Sequence, residues 1–174
     1  DALAEALRKD TNESVREMAA WALGEGGDDA ASAVTVLGNA LKSDASDRVR
    51  ATAAWALGEI GERGSSDALV AALGDANSSV RYRAVWALGQ SNLRSAPKPL
   101  VAMLGDKDPS VRVMTAWALH EIEDASTAAP LQAALKVEQN ADVQRALTKA
   151  LLSLGEASVE AIKELLDSKD PNVK

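Results

Sequence analysis

Few side chains in this 174-residue sequence have the types and spacing that catalysis or metal binding requires. His120 and Glu121 form the single His-Glu pair, because the sequence contains one His, and it contains no Cys. One histidine does not supply a multi-histidine metal cluster, and the lack of cysteine excludes disulfides, thiolate metal sites and a cysteine nucleophile. No serine has a partner base, and no glycine-rich phosphate loop follows a strand pattern. We therefore predict no catalytic residue, no metal site and no cofactor.

The charge balance restricts the classes of partner. The sequence has 19 basic and 26 acidic residues and a formal net charge of −7. Nucleic-acid binding requires a basic face, so a nucleic-acid partner is not expected. The apolar runs are far shorter than the ~18 residues of a transmembrane helix, and no signal-peptide pattern occurs at the start. We expect a soluble protein with no membrane partner, and its compartment stays unassigned.

Aromatic residues are scarce but regularly placed. The sequence has four Trp, one Tyr and no Phe. Each Trp lies six residues after the Val of a Val-Arg pair, and the four are Trp21, Trp55, Trp86 and Trp117, spaced by 34, 31 and 31 residues. A fifth copy at Val143 has Lys149 in place of Trp, and a sixth copy begins at Val173. A fixed period of this length predicts a repeat protein.

Capping residues divide each repeat into two helices. The residues three positions before the repeated Val can all cap a helix N terminus, and they are Asn12, Ser46, Asn77, Asp108, Asn140 and Asp170. The residues twelve positions after it are Gly27, Gly61, Asn92, Glu123 and Gly155, of which Gly and Asn suit a left-handed helix end. This spacing predicts a second helix of about four turns. A first amphipathic helix precedes it, and Pro99 and Pro130 lie near the start of two of these first helices.

Two helices in about 31 residues, repeated in tandem, predict an all-α fold. The architecture is an α-solenoid, in which each helix pair buries its apolar face against its neighbours. We place the repeats at approximately 1–27, 28–61, 62–92, 93–123, 124–155 and 156–174, in a single solenoid domain. The sequence begins without Met and stops within a repeat, so we expect a fragment of a longer protein. Its two ends expose apolar surface, which favours end-to-end self-association of the fragment.

The repeat also resembles a known family. Residues 49–61 read Val-Arg-Ala-Thr-Ala-Ala-Trp-Ala-Leu-Gly-Glu-Ile-Gly. This sequence resembles the short bacterial HEAT-like repeats of the phycobilin lyase type, and the resemblance covers essentially the whole chain. It implies antiparallel helix pairs stacked in a right-handed superhelix, with the second helices on the concave surface. Tetratricopeptide repeats, the nearest alternative, have Trp-x-x-Leu-Gly, whereas this sequence has Trp-x-Leu-Gly.

Two enzymes of this repeat type provide alternatives to a binding role. Deoxyhypusine hydroxylase is a HEAT-like enzyme that holds two irons with several His-Glu pairs, and this sequence has one such pair. His120 occupies the position held by Gly24, Gly58 and Gly89, which favours a substitution at a helix surface. A bilin lyase-like subunit would bind a chromophore, and an absorbance scan after mixing with bilin would test that role. Family functions are diverse, so the resemblance does not assign a function.

The Trp residues lie nearly opposite the apolar stripe of the second helix. The resemblance places this side on the concave wall, where we predict a protein or peptide partner. The predicted partner-binding residues are Trp21, Trp55, Trp86, Trp117, Tyr82, Glu17, Glu25, Glu59, Gln90, Glu121, Met18, Met114, Arg83 and Lys149. Alternating indoles and carboxylates suit a cationic or extended peptide. Arg83, Arg145 and Lys149 make the later part of the wall basic.

The Trp row has two interpretations. In one, each indole lies across the neighbouring second helix, where small Ala residues leave room, and seals the seam between repeats. This favours a rigid spacer in a larger protein, with no ligand of its own. In the other, the indoles form an exposed patch that receives a partner, which favours a non-enzymatic binding scaffold. On that second interpretation, Trp86→Ala weakens binding by about 2 kcal/mol.

Two further rows of charged residues accompany the repeat. The basic row lies next to the repeated Val and the acidic row lies five residues before it. The rows are Arg16, Arg50, Arg81 and Arg112, and Asp10, Asp44, Asp75 and Asp106. This arrangement predicts a ladder of Asp–Arg pairs between adjacent repeats, without a ligand.

Overall fold

The computed structural model describes residues 2–26, 30–61 and 66–155. Its α-helices are α1 (Ala2–Lys9), α2 (Glu13–Gly26), α3 (Ala30–Ser43), α4 (Asp47–Ile60), α5 (Ser66–Ala72), α6 (Ser78–Gln90), α7 (Lys98–Ala102), α8 (Pro109–Ile122), α9 (Ala128–Val137) and α10 (Ala141–Ser153). Short 3-10 segments at Met103–Gly105 and Ala125–Thr127 adjoin α7 and α9. No strand occurs in the described ranges, and the all-α prediction is confirmed.

The second helix of each repeat is nearly constant in length. Helices α2, α4, α6, α8 and α10 have 13 or 14 residues, as the capping spacing predicts. The first helices vary from 5 residues in α7 to 14 in α3. Each second helix packs on the next within a unit, because α2 contacts α4, α4 contacts α6, and α8 contacts α10. The helix-pair repeat of an α-solenoid is therefore confirmed.

The chain divides into two compact units, Asp1–Asn92 and Leu93–Lys174. Unit 1 contains α1–α6 and unit 2 contains α7–α10. The division falls between the predicted repeats 62–92 and 93–123. The assignment of a single domain across both units stays a prediction.

Most of the predicted N-cap side chains make their hydrogen bond. Four of them accept a hydrogen bond from the backbone N–H two residues further on, and these are Asn12, Asn77, Asp108 and Asn140. Ser46 occupies the same position before α4 without a side-chain cap. Asp170 lies outside the described residues. These bonds satisfy N–H groups that have no partner within the helix and so fix where each second helix begins.

The C-terminal ends of the second helices are left-handed at Gly61, Asn92 and Gly155, as predicted, and also at Glu123, where the residue type did not predict it. Gly61, Asn92, Glu123 and Gly155 have φ values of 65°, 48°, 53° and 98°. Gly27 lies outside the described residues. For Glu123 this conformation costs ~1–2 kcal/mol. Its N–H donates to the carbonyl oxygen of Leu119 at 3.2 Å, which closes α8 despite that cost.

The core between the helix layers is aliphatic, and neighbouring second helices approach closely at glycine. The fully buried side chains include one Leu from each second helix, namely Leu23, Leu57, Leu88, Leu119 and Leu151. A methyl group added to Gly24 would lie 2.7 Å from Cβ of Ala56, which is closer than real Cβ contacts. The backbones of α2 and α4 therefore approach closely at Gly24.

The predicted Asp–Arg ladder is present in unit 1, and an Arg–Glu pair takes its place in unit 2. Arg16 donates two hydrogen bonds to the carboxylate of Asp44, both of 2.8 Å, and Arg50 donates to Asp75 at 2.7 and 3.1 Å. In unit 2, Arg112 donates in the same way to Glu138, at 2.7 and 2.9 Å. The prediction did not include Glu138, whose longer side chain takes the place of Asp in the fifth repeat. Each Arg belongs to one repeat and each carboxylate to the next, so the ladder ties neighbouring repeats together.

These contacts change the acidity of the carboxyls. The hydrogen bond from Arg16 is the largest influence on Asp44 and lowers its pKa, and Arg112 lowers the pKa of Glu138 in the same way. At Asp75 the largest influence is burial, which raises the pKa, but hydrogen bonds from Arg50 and from the N–H of Asn77 lower it overall. Each of these carboxyls is therefore held in its charged form.

Asp124 organises the start of the fifth repeat in unit 2. Its carboxylate accepts hydrogen bonds of 2.9 Å from the N–H of Ser126, the N–H of Ala96 and the hydroxyl of Ser95. These hydrogen bonds, those from Ser126 first, lower the pKa of Asp124 well below its ordinary value. One carboxylate thus ties the loop before α7 to the segment before α9.

Candidate protein-binding surface

A groove of about 620 Å³ opens on the Trp-bearing side of α2, α4 and α6 in unit 1. We call it the unit 1 groove, and its lining residues are Glu17, Trp21, Asp47, Arg48, Ala51, Thr52, Trp55, Asn77, Ser79 and Arg83. Residues three, four and seven apart on a helix share one face, and this spacing brings Glu17 beside Trp21 and places Arg48, Thr52 and Trp55 in one row.

Polar contacts between neighbouring second helices hold side chains of the groove in place. Glu17 of α2 pairs with Arg48 of α4, with 2.6 Å between Oε2 and a guanidinium nitrogen. Asp47 accepts a hydrogen bond from the side-chain amide of Asn77. Arg83 of α6 is exposed and makes no ion pair with the residues that the structure describes. The groove therefore holds two carboxylates and two guanidinium groups around two indoles.

A second cavity, of about 460 Å³, adjoins this groove. The two cavities share Glu17, Trp21, Arg48 and Thr52. Ser14 and Met18 line the second cavity and not the unit 1 groove. Trp21 and Met18 are exposed. This end of the surface is its most accessible apolar part.

The indoles of Trp55 and Trp86 pack between neighbouring second helices and also keep exposed surface, so each interpretation of the Trp row holds in part. A methyl group added to Gly58 would lie 2.7 Å from Cζ3 of Trp86, and one added to Gly24 would lie 3.2 Å from Cζ3 of Trp55. Each ring thus packs over a glycine of the preceding second helix. Both residues are nevertheless half-buried, not buried. Glycine leaves room for each ring, a contribution that the sequence analysis did not name.

The structure brings together part of the predicted partner-binding set. Glu17, Trp21, Trp55 and Arg83 line the unit 1 groove, and Met18 lines the cavity beside it. Five other predicted residues of unit 1 line neither cavity, and these are Tyr82, Trp86, Glu25, Glu59 and Gln90. Glu25, Glu59 and Gln90 are exposed, whereas Tyr82 and Trp86 are half-buried.

The predicted residues of unit 2 lie on α8 and α10. Trp117 and Met114 are half-buried, and Glu121 and Lys149 are exposed. Arg145, predicted to add to the basic part of the wall, pairs with Asp142 of the same helix. Neither groove cavity of unit 1 includes any of these side chains.

Sequence reasoning missed the polar residues at the N-terminal ends of the second helices. Asp47, Arg48, Asn77 and Ser79 line the groove, and the prediction did not include them. Arg48 and Ser79 lie seven residues before Trp55 and Trp86, which places them two helical turns away on the same face. A search at that spacing from each Trp would have found them.

Among the described residues, the structure shows neither a metal-ligand cluster nor a membrane-spanning helix. Nδ1 of His120 is buried and has no hydrogen-bond partner there. Among residues 2–26, 30–61 and 66–155, no group of three or more His, Cys, Asp and Glu side chains is placed to hold a metal ion. No helix in those ranges is both long and apolar enough to cross a membrane.

Comparisons with known proteins agree with this architecture. The HEAT repeat family matches residues 1–81 and 66–152. The complex of CpcE and CpcF of phycocyanin lyase from Nostoc sp. PCC7120 matches with a TM-score of 0.75 and 23% identity, over 98% of this chain and 71% of that chain. A designed armadillo repeat protein in complex with the peptide (KR)4 matches with a TM-score of 0.64 and 25% identity, over 88% and 80% of the two chains. Kap95p bound to RanGDP has a TM-score of 0.72 at 18% identity, over 98% of this chain and 28% of Kap95p.

A search of curated protein sequences gives no match. The family match nevertheless spans five of the six predicted repeats, from residue 1 to residue 152. The resemblance found in the repeat sequence is therefore confirmed, and the chain belongs to the HEAT repeat family.

Proposed function

We propose that the chain is a non-enzymatic scaffold that binds a protein or peptide, with the unit 1 groove as its binding surface. The observation that carries this proposal is the groove itself, where Trp21 and Trp55 keep exposed ring surface beside Glu17, Asp47 and Arg83. A volume of about 620 Å³ is in the range of ligand-binding clefts and holds several side chains.

The groove chemistry suits an extended segment that carries cationic side chains. A Lys or Arg side chain packs its aliphatic stem on an indole and presents its charge to the ring face. Its charged end then reaches Glu17 or Asp47, where charge-assisted hydrogen bonds form. Acidic side chains of the same segment pair with Arg83, so an alternating or mixed charge pattern is accommodated.

Similarity to proteins with known partners supports the class of ligand. The designed armadillo repeat protein binds the basic peptide (KR)4, and Kap95p binds a protein, RanGDP. Both match most of this chain. A protein or peptide partner is therefore the class that we propose here as well.

Calorimetric titration of the full chain with (Lys-Arg)4 tests the proposal, with an octamer of Glu as the charge control. Trp21→Ala is the informative variant, because Trp21 lines both cavities and is 46% exposed. We expect it to weaken (Lys-Arg)4 binding by at least tenfold, which corresponds to about 1.4 kcal/mol. Trp117→Ala in unit 2 is the matched control and is expected to change affinity less than twofold. Equal binding of both peptides, or no loss with Trp21→Ala, contradicts the proposal.

A rigid spacer without a ligand is the second candidate, and the glycine contacts of Trp55 and Trp86 favour it. Trp86→Ala does not discriminate between the two roles, because Trp86 packs on Gly58 and lies outside the groove lining. Trp86→Ala is expected to lower the free energy of unfolding whether the chain is a binding scaffold or a rigid spacer. A spacer additionally predicts that no substitution in the groove changes the affinity for any peptide.

A further inference from the structure

The charges that line the unit 1 groove are separated by helix. Glu17 lies on α2, Asp47 and Arg48 lie on α4, and Arg83 lies on α6. To the lining, α2 therefore contributes a negative charge, α4 contributes charges that cancel, and α6 contributes a positive charge. Since α2 packs on α4 and α4 packs on α6, the groove is acidic at its α2 side and basic at its α6 side.

Among the described residues, Arg83 is the charged group of this groove that has no partner. Glu17 and Arg48 pair with each other, with 2.6 Å between Oε2 and a guanidinium nitrogen. Asp47 accepts a hydrogen bond from the side-chain amide of Asn77. Arg83 is exposed, and within the part of the chain that the structure describes its guanidinium makes neither an ion pair nor a hydrogen bond. The basic side of the groove thus keeps its charge available for a ligand.

The indoles of the groove lie on its acidic side. Trp21 belongs to α2 and Trp55 to α4, whereas the lining residues from α6, Ser79 and Arg83, are polar. The face of an indole attracts a cation, and Trp21 is 46% exposed. Rings and carboxylates therefore favour a basic side chain at the α2 side, and Arg83 favours an acidic one at the α6 side.

We propose that the groove selects an extended segment whose charges are segregated, with its basic half over Trp21 and its acidic half at Arg83. This inference rests on the proposed function and adds the charge order of the ligand. Arg83 is the specificity-determining residue, because its guanidinium attracts the acidic half and repels a second basic half. The lining has a formal net charge of zero, so a neutral segment with this charge order complements it better than a purely basic one does.

The helix spacing sets the distance between the two halves. Packed helices lie about 8–10 Å apart, so the step from α2 to α6 covers about 16–20 Å. An extended segment advances about 3.3 Å per residue, and it crosses this distance in about five or six residues. An octapeptide with four basic residues followed by four acidic residues is therefore long enough to reach both sides.

Peptides of identical composition test the charge order by calorimetric titration of the full chain. The segregated peptides are Lys-Arg-Lys-Arg-Glu-Glu-Glu-Glu and its block reversal Glu-Glu-Glu-Glu-Lys-Arg-Lys-Arg. The alternating peptide is Lys-Glu-Arg-Glu-Lys-Glu-Arg-Glu, and all three are neutral. We expect the tighter of the two segregated peptides to bind about fivefold more strongly than the alternating peptide, the size of effect that one ion pair at an exposed site provides.

Variants of Arg83 separate its charge from its shape. Arg83→Gln is expected to weaken the segregated peptide about fivefold and to strengthen (Lys-Arg)4 about twofold, because it removes an attraction in one complex and a repulsion in the other. Arg83→Lys keeps the charge and should restore both affinities to within about twofold of the original chain. Arg8→Gln removes an exposed arginine of α1 outside the groove lining, and this matched control should leave the preference unchanged.

Two results would overturn the inference while the proposed function stands. One is equal affinity for segregated and alternating peptides when both still depend on Trp21. The other is an Arg83→Gln variant that weakens the segregated peptide and (Lys-Arg)4 alike, since a residue without charge selectivity would act in that way. Loss of the Trp21 dependence for every peptide instead contradicts the proposed function itself.

Discussion

The seam between α4 and α6 in unit 1 and the seam between α8 and α10 in unit 2 share one contact and differ in another. Both have a guanidinium pair, Arg50–Asp75 in one and Arg112–Glu138 in the other. In unit 1 the glycine position is Gly58, against which Trp86 packs. In unit 2 the corresponding residues are His120 and Lys149. A Cβ added at Gly58 would meet both the indole of Trp86 and Ala87, whereas a residue larger than glycine, His120, is present where the next repeat lacks the indole.

Exchanging the seam residues should have the largest effect on stability. Gly58→His adds an imidazole where an added Cβ alone would lie 2.7 Å from Cζ3 of Trp86 and 2.8 Å from Cβ of Ala87. We expect a loss of about 3 kcal/mol in the free energy of unfolding, by overpacking. Urea denaturation measures it. The double variant Gly58→His with Trp86→Lys is expected to regain at least half, and a double variant no more stable than Gly58→His would refute the size relation.

Removing the Arg–carboxylate pair that both seams share should have the next largest effect on the free energy of unfolding. The loss should be equal in the two units. Arg50→Met and Arg112→Met each leave a largely buried carboxylate without its partner and retain the aliphatic stem. We expect each to cost about 2 kcal/mol in urea denaturation. Arg145→Met, which removes an exposed pair within α10, is the control and should change stability by less than about 0.5 kcal/mol. A large difference between Arg50→Met and Arg112→Met would show that the ladder acts differently in the two units.

Acid should weaken each Arg–carboxylate pair between second helices, by a smaller amount at each site. Folding lowers the pKa of Asp44, Asp75 and Glu138. The stability that these groups contribute is therefore fully present above their unfolded values, at about pH 4, and is lost as the pH falls through the lowered folded values. Thermal unfolding followed between pH 7 and pH 2 should show Tm falling below about pH 4. Asp75→Asn should flatten part of this fall, and an unchanged profile in that variant would contradict the role of Asp75.

The smallest effect on stability is expected for a polar residue of the unit 1 groove. Arg48 is 61% exposed, although its guanidinium lies 2.6 Å from Glu17. Arg48→Ala should change the free energy of unfolding by less than about 0.5 kcal/mol, because exposed ion pairs contribute little. The same variant should change (Lys-Arg)4 affinity in calorimetry, since it frees the Glu17 carboxylate. A loss of stability above about 1 kcal/mol would show that this residue belongs to the seam and not to the surface.

Local signals account for what the sequence could predict. The N-cap residues and the left-handed ends at Gly61 and Asn92 follow from short-range spacing, and the Arg50–Asp75 pair follows from the repeat period. The partner of Arg112 was not predicted, because Glu138 departs from the Asp pattern and its reach depends on the loop before α10. The packing of Trp86 on Gly58 depends on the distance between two helices, which no single-helix pattern contains.

The groove was predicted only in part for the same reason. Trp21, Trp55 and Glu17 lie on one predicted face and are found together. Asn77 and Ser79 reach the groove from the start of a neighbouring helix, and their approach is set by the stacking of α4 on α6. Glu25 and Glu59 share the helical face but lie outside the lining of the cavity. Helical periodicity therefore identified the face, and helix packing determined which part of it forms a groove.

The central claim, that unit 1 binds a partner through Trp21 and Trp55, is tested most directly by following the four indole N–H signals. The full chain is labelled with ¹⁵N-tryptophan, each signal is assigned with a Trp→Phe variant, and (Lys-Arg)4 is added stepwise. We predict that the signals of Trp21 and Trp55 move together and saturate, while the signal of Trp117 stays in place. No movement of Trp21 and Trp55, or equal movement of all four signals, would contradict the claim.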